Sequence, residues 1–255
     1  MKRDVIVAVS FLLAFLFIAY ALTARNVLGL GGAELRPLGE FYLSHSFAHE
    51  GLTSHSPEVV TAIVWNYRGF DTLFETFVFF LAIMGALSVL RLDKEQLRQA
   101  RELEATMPHR KMDLIVRATT KLVVVMIIAI SASIALHGHL TPGGGFQGGS
   151  AMAVAALLLF AAFSKFTLER KGLTLKHTIS AYAVGLALIL ATVLAPVFLY
   201  GGKILEINLL PGEAGLFNLD VGEYTAVTFG FLTVFLVLGI PEWVFKNVLR
   251  RELND

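Results

Sequence analysis

The chain is built from long apolar runs separated by short polar ones. A bilayer-spanning helix needs about 20 mostly apolar residues, and residues 5–24 supply one such run without a charge. Residues 142–164 contain another, with its helix expected to start near Gly149, and 178–200 and 224–244 supply two more. The stretches 76–90 and 122–136 are uninterrupted for only fifteen residues each. Each reaches spanning length only by taking in an ionisable residue, Glu75 for the first and Lys121 for the second. The pattern predicts an all-α integral membrane protein with six transmembrane helices.

The distribution of Lys and Arg sets the orientation, because cytoplasmic loops carry the excess. With both termini cytoplasmic, the inner segments hold sixteen of them, including Lys2, Arg3, the cluster from Arg91 to Arg117, Lys165 to Lys176, and Lys246 to Arg251. The outer segments hold three: Arg25, Arg36 and Lys203. The outer segments are acidic instead, with Glu34, Glu40, Glu50 and Glu58, then Glu206, Glu213, Asp220 and Glu223. On this topology Glu75 lies near the outer side and Lys121 near the inner side, too far apart to pair. Residues 93–113 alternate in sign at helical spacing and read as a solvated cytoplasmic linker helix.

Composition narrows the class. Hydrophobic residues make up 56%, charged residues 16%, and mean hydropathy is +0.69. Soluble domains average about 45–50% apolar and about 25% charged residues. There is no cysteine, which excludes disulfides and iron–sulfur ligation by this chain. A net charge of +1 gives no reason to expect nucleic acid. The expected location is the cell membrane, as a multi-pass protein.

Three groups of residues carry candidate chemistry. Arg68, Asp71 and Glu75 are spaced three and four apart and share one stripe of a helix. A helix over 59–90 would be about 48 Å long, more than the bilayer core, so it must project outward or break near Gly69. The stripe is either an interfacial ion pair that fixes helix depth, or an ion route in which Glu75 binds a hard cation or passes a proton. Lys121 either snorkels to the headgroups or faces another subunit. The third group is the segment 137–149, His-Gly-His-Leu-Thr-Pro-Gly-Gly-Gly-Phe-Gln-Gly-Gly. His137 and His139 either cap the last carbonyls of the preceding helix or act as a relay that titrates near neutral pH. Pro142, Gly143, Gly144, Gly145, Phe146, Gln147, Gly148 and Gly149 are expected to shape and pack a close approach of backbones rather than to bind an ion. Gly143–Gly148 also spells G-x-G-x-x-G, but no strand precedes it and both neighbours are spans, so a dinucleotide site is rejected. His45, His49 and His55 form at most a weak zinc pattern, and an outer amphipathic segment accounts for them better.

The wording of 137–149 resembles the HGHxTPGGGFQGG signature of the B subunit of Mrp-type multisubunit Na⁺/H⁺ antiporters. The segment Trp65-Asn-Tyr-Arg-Gly-Phe-Asp-Thr-Leu-Phe-Glu75 resembles the DxRGFDTxxE signature near the end of the A subunit of the same antiporters. Asn66 stands where that pattern has Asp, so no carboxylate carries over to that position. The resemblance implies three parts: 1–92 like the end of the A subunit, the linker 93–113, and 114–255 like the B subunit. It implies a membrane component of a cation/proton antiporter module, as also found in archaeal membrane-bound hydrogenase and sulfur reductase complexes. It implies C-, D- and G-like subunits and hydrogenase-like redox subunits as partners, with lipid around them. No cofactor is implied, only Na⁺ or H⁺ as the transported ion, and no catalysis in this chain. The alternative is a scaffold subunit with no ion path of its own. A stand-alone secondary transporter would favour inverted repeats, and none is evident.

Overall fold

The computed structural model describes residues 2–24, 35–47, 53, 55–90, 98–99, 102, 114–163 and 165–239. These residues form helices joined by turns and loops, with no strand among them. Contacts divide the chain into residues 1–42 and 43–255. In the first unit, α1 runs over Lys2–Ala24 and α2 begins at Pro37, ending at His45 in the second. The apolar stretch of α1 is Val9–Leu22 among its described residues.

In the second unit a short helix, α3 (Val59–Thr61), runs on as a π-helix over Ala62–Tyr67 and stops at Arg68. The spanning helix α4 (Gly69–Leu90) then begins. The remaining helices are α5 (Leu114–Leu136), α6 (Gly145–Ala162), the short α7 (Lys165–Arg170), α8 (Leu175–Tyr200) and α9 (Ala214–Leu238). Among the described residues, five helices, α4, α5, α6, α8 and α9, are long and apolar enough to cross a membrane.

The helix expected over 59–90 therefore breaks, and the break has local causes. The Arg68 N–H reaches back five residues to the Ile63 carbonyl, the wide-turn pattern of a π-helix. Gly69 is buried there, with Leu205 packed against it. The Val64 carbonyl, freed by the break, accepts the Thr72 hydroxyl at 2.6 Å.

Helix α9 is the centre of the bundle. Half of its spanning window is buried inside the protein, against 11% for α4. It packs along α8 and α6 and over a shorter stretch on α4, while α5 packs on α6. The small residues Gly185 and Gly222 let α8 and α9 touch backbone to backbone: a Cβ at Gly222 would lie 3.1 Å from the Gly185 carbonyl. An apolar cluster of Trp65, Ile189, Val193, Leu205, Ile207, Leu216 and Leu219 closes one end.

Two span boundaries differ from expectation. The fourth span starts at Gly145, not near Gly149. The last span starts at Ala214 and ends at Leu238, ten residues ahead of the expected start, which takes Asp220 and Glu223 out of the outer loop and into a spanning helix. Of the linker 93–113, Arg98, Gln99 and Glu102 are described, with Arg98 and Glu102 paired at 3.9 Å. The rest of the linker, and the basic residues after Gly239, lie outside the described residues.

Candidate functional site: carboxylates against the glycine segment

The glycine segment is wedged between α5 and α9. Gly144 has φ +129°, a conformation that favours glycine, and ends the loop before α6. From there on, the absence of side chains allows contact. A Cβ at Gly148 would lie 2.8 Å from both the Ser131 carbonyl and the Ala135 Cβ. A Cβ at Gly149 would lie 2.8 Å from the Val227 Cβ, and one at Gly145 would collide with the Asp220 carbonyl. Hydroxyls tie the same surfaces: Ser131 Oγ donates to the Gly148 carbonyl at 2.9 Å and lies 3.3 Å from Tyr224 Oη. Pro142 and Gln147 are exposed, and the exposed Phe146 ring meets Phe79 edge to face at 6.3 Å.

This wedging delivers two backbone donors to the centre of the bundle. The first residues of a helix have free N–H groups. Here the Gly145 N–H donates to Asp220 and the Phe146 N–H to Glu223 Oε2 at 3.1 Å. Asp220 is 1% exposed and Glu223 8%. The Trp65 indole N–H, carried inward by the π-helix, is a second donor to Asp220. Burying an unpaired charge at such depth costs several kcal/mol, and the donors from α6 and the π-helix offset part of it. Asp220 Oδ2 has no hydrogen-bond partner within the protein. It faces Gly138, where a Cβ would come within 2.9 Å of it. Among the described residues, no lysine or arginine forms an ion pair with either carboxylate.

The stripe Arg68, Asp71 and Glu75 divides in two. Arg68 pairs with Asp71 through Nε at 2.7 Å, and both side chains are exposed, so this pair adds little stability. Glu75 takes no part in it. It opens to the outside of this chain and lines a small void with Thr76, Phe79, Phe146, Glu223, Ala226 and Val227. The void is of the size that holds about one water. Lys121 is exposed on α5, 6.0 Å from the Phe163 ring centre, and is not part of the carboxylate cluster.

The two histidines have different surroundings. His137 is exposed, and its Nδ1 lies 3.1 Å from the Ser133 carbonyl, at the end of α5. His139 is buried, with Nε2 3.3 Å from Glu213 Oε2 and its ring edge-to-face on Phe217. Burial lowers its pKa, Glu213 opposes that shift and His137 adds to it. The neutral ring donates Nε2–H to Glu213 and leaves Nδ1, a bare acceptor, without a partner. The loop is held from the α3 side: Thr61 Oγ1 donates to the Gly138 carbonyl at 2.6 Å and Ser56 Oγ to that of His139 at 3.2 Å. Glu58 is itself buried and caps α3 through the Thr61 N–H. Of the three histidines of the first outer segment, His45 and His55 are described and His49 is not, and no metal-sized cluster occurs among the described residues.

Sequence reasoning gave Asp220, Glu223, Glu58, Glu213 and Trp65 no site role. The available signal was spacing: Asp220, Glu223, Val227 and Gly230 recur at three- and four-residue intervals that continue the buried face of α9 upstream of Tyr224.

Residues 115–241 match a family model described as a domain related to the MnhB subunit of Na⁺/H⁺ antiporters. The chain is 32% identical over 144 residues to the B subunit of the Na⁺/H⁺ antiporter of Bacillus subtilis, covering 95% of that protein and 55% of this one. It is 30% identical over 172 residues to an uncharacterized protein of Methanocaldococcus jannaschii, spanning 60% of that protein and 64% of itself. In fold it is similar to a chain of the Mrp complex from Dietzia sp., with TM-score 0.59, 19% identity, and coverage of 95% of this chain and 26% of that one. It is also similar to a chain of the membrane-bound sulfane sulfur reductase, described as an archaeal respiratory membrane complex. There the TM-score is 0.58 and identity 23%, over 92% of this chain and 99% of that one. The chain belongs to the MnhB-related family of Na⁺/H⁺ antiporter components, and is a multi-pass membrane protein.

Proposed function

We propose that this chain is a membrane component of an Mrp-type cation/proton antiporter module within an archaeal respiratory complex, and that Na⁺ or H⁺ passes along its carboxylates. The observation that carries the proposal is the seating of the family's glycine segment: its first helical turn donates N–H groups to two carboxylates buried at the centre of the bundle. A scaffold needs packing but gains nothing from buried acids, which are expensive in a bilayer and mark ion pathways. The sequence signature around Arg68–Glu75 supports a fusion of A-end and B-like parts. Neighbouring chains would then be C-, D- and G-like antiporter subunits, with redox subunits further out carrying the electron transfer. The chain itself performs no redox step, and Glu75, opening outward from the bundle, is where it meets a partner.

A scaffold reading has one observation in its favour: Thr61 and Ser131 donate their hydroxyls to backbone carbonyls of the 137–149 segment, and Ser56 shares its own between the Glu58 and His139 carbonyls, which locks helices together. Native purification tests the assembly claim. An affinity tag on this chain should bring down antiporter-type membrane subunits in fixed stoichiometry. Recovery of this chain alone, transporting ions by itself in vesicles, would contradict it.

A further inference from the structure

We infer that Asp220 and Glu223 are the buried steps of a proton relay that enters beside the His139 loop and leaves sideways at Glu75; the inference rests on the ion-translocating function proposed above. Three observations carry it. Asp220 is fully buried, yet its Oδ2 is unpartnered and aimed at the Gly138 backbone, next to the His139–Glu213 contact. Glu223 lies three residues further along the same buried face of α9, about 4.5 Å along the axis. Glu223 and Glu75 then share a void that holds about one water.

The surroundings select a proton over a metal cation. A hard cation needs oxygens on every side. The void between Glu75 and Glu223 offers two carboxylates and Thr76, but its remaining wall is Phe79, Phe146, Ala226 and Val227. A proton needs only a donor, an acceptor and one water. In each hop one O–H bond breaks and one forms, from Asp220 to Glu223, from Glu223 to water, and from water to Glu75, so no co-reactant is consumed. The ionisable groups that act on the pair are Glu58 before α3, which faces Asp220, and Glu75 on α4, which faces Glu223. The backbone donors from Gly145 and Phe146 stabilise a carboxylate left behind after each transfer.

The test uses the intact complex reconstituted in vesicles, with a pH-sensitive dye reporting proton movement against an imposed Na⁺ gradient. Asp220→Asn and Glu223→Gln should each keep the subunit composition and lower proton flux at least about tenfold. Wild-type flux in both amide variants, with Glu75→Gln still lowering it, would overturn the buried relay while leaving the proposed ion path at Glu75 standing. A wild-type complex without cation-linked proton flux would overturn both. Should an amide variant fail to assemble, Glu223→Asp decides. It keeps an acid at a shifted position, so its flux should show a displaced pH profile, and an unaltered profile and rate would overturn the relay.

Discussion

Glu223 accepts the Phe146 N–H at 3.1 Å, and through this bond the first turn of α6 is fastened to the carboxylate row of α9. The bond requires α6 to start at Gly145 and to lie against α9 with no side chain between them. The glycines of 145–149 thus have an electrostatic consequence as well as a steric one: they bring helix N–H groups to acids that have few other donors.

Gly148→Leu should separate α5 from α6, because a Cβ there already lies 2.8 Å from the Ser131 carbonyl. Overpacking of this kind costs about 1–3 kcal/mol. The expected outcome is a lower melting temperature and a reduced yield of assembled complex, read by size exclusion. Gly85→Ala, where nothing lies within 4 Å, should leave this chain's own packing unchanged.

His139 gives a pH dependence with a definite sign. Burial holds its folded-state pKa below the usual 6.5, so between these two values the unfolded chain binds more protons than the folded one. Its contribution to stability is therefore fully present above about pH 6.5 and is lost as pH falls toward the lowered value. Thermal melts of the purified complex from pH 7.5 down to 5 should show stability declining, and His139→Gln should flatten part of that decline. A variant with the wild-type pH dependence would remove His139 as the cause.

The apolar runs were legible because hydropathy acts on contiguous residues, and the length of 59–90 left two outcomes, an outward projection or the break near Gly69 that is found. Glu75 was legible for the same reason: its helix cannot reach spanning length without it. Its counterpart Glu223 was not. Hydropathy assigns each residue the cost of leaving water alone, and on that scale Asp220 and Glu223 belong outside the membrane. What lets them lie inside is a set of donors far away in sequence, the Trp65 indole and the N–H groups of Gly145 and Phe146. The start of α6 was misplaced for a related reason. Glycine's low helix propensity argues against a helix over 145–149, but close contact with Ser131, Ala135 and Val227 outweighs it.

The orientation rests on sixteen Lys and Arg against three. In intact cells, an impermeant thiol reagent should label Lys203→Cys and not Glu102→Cys, and opening the membrane should expose the second. The chain has no native cysteine to confuse the reading. Labelling of Glu102→Cys from outside would reverse the topology.

Glu75 decides most directly whether this chain carries an ion or only seats its neighbours. Glu75→Gln keeps size and hydrogen bonding while removing charge and titration. The measurement is Na⁺-linked proton flux through the complex in vesicles, normalised to assembled subunits. An ion path predicts normal assembly with flux reduced at least about tenfold, while Arg68→Gln, which only breaks the exposed pair with Asp71, leaves flux within about twofold of wild type. Wild-type flux through a fully assembled Glu75→Gln complex would contradict the path and leave the chain as a scaffold.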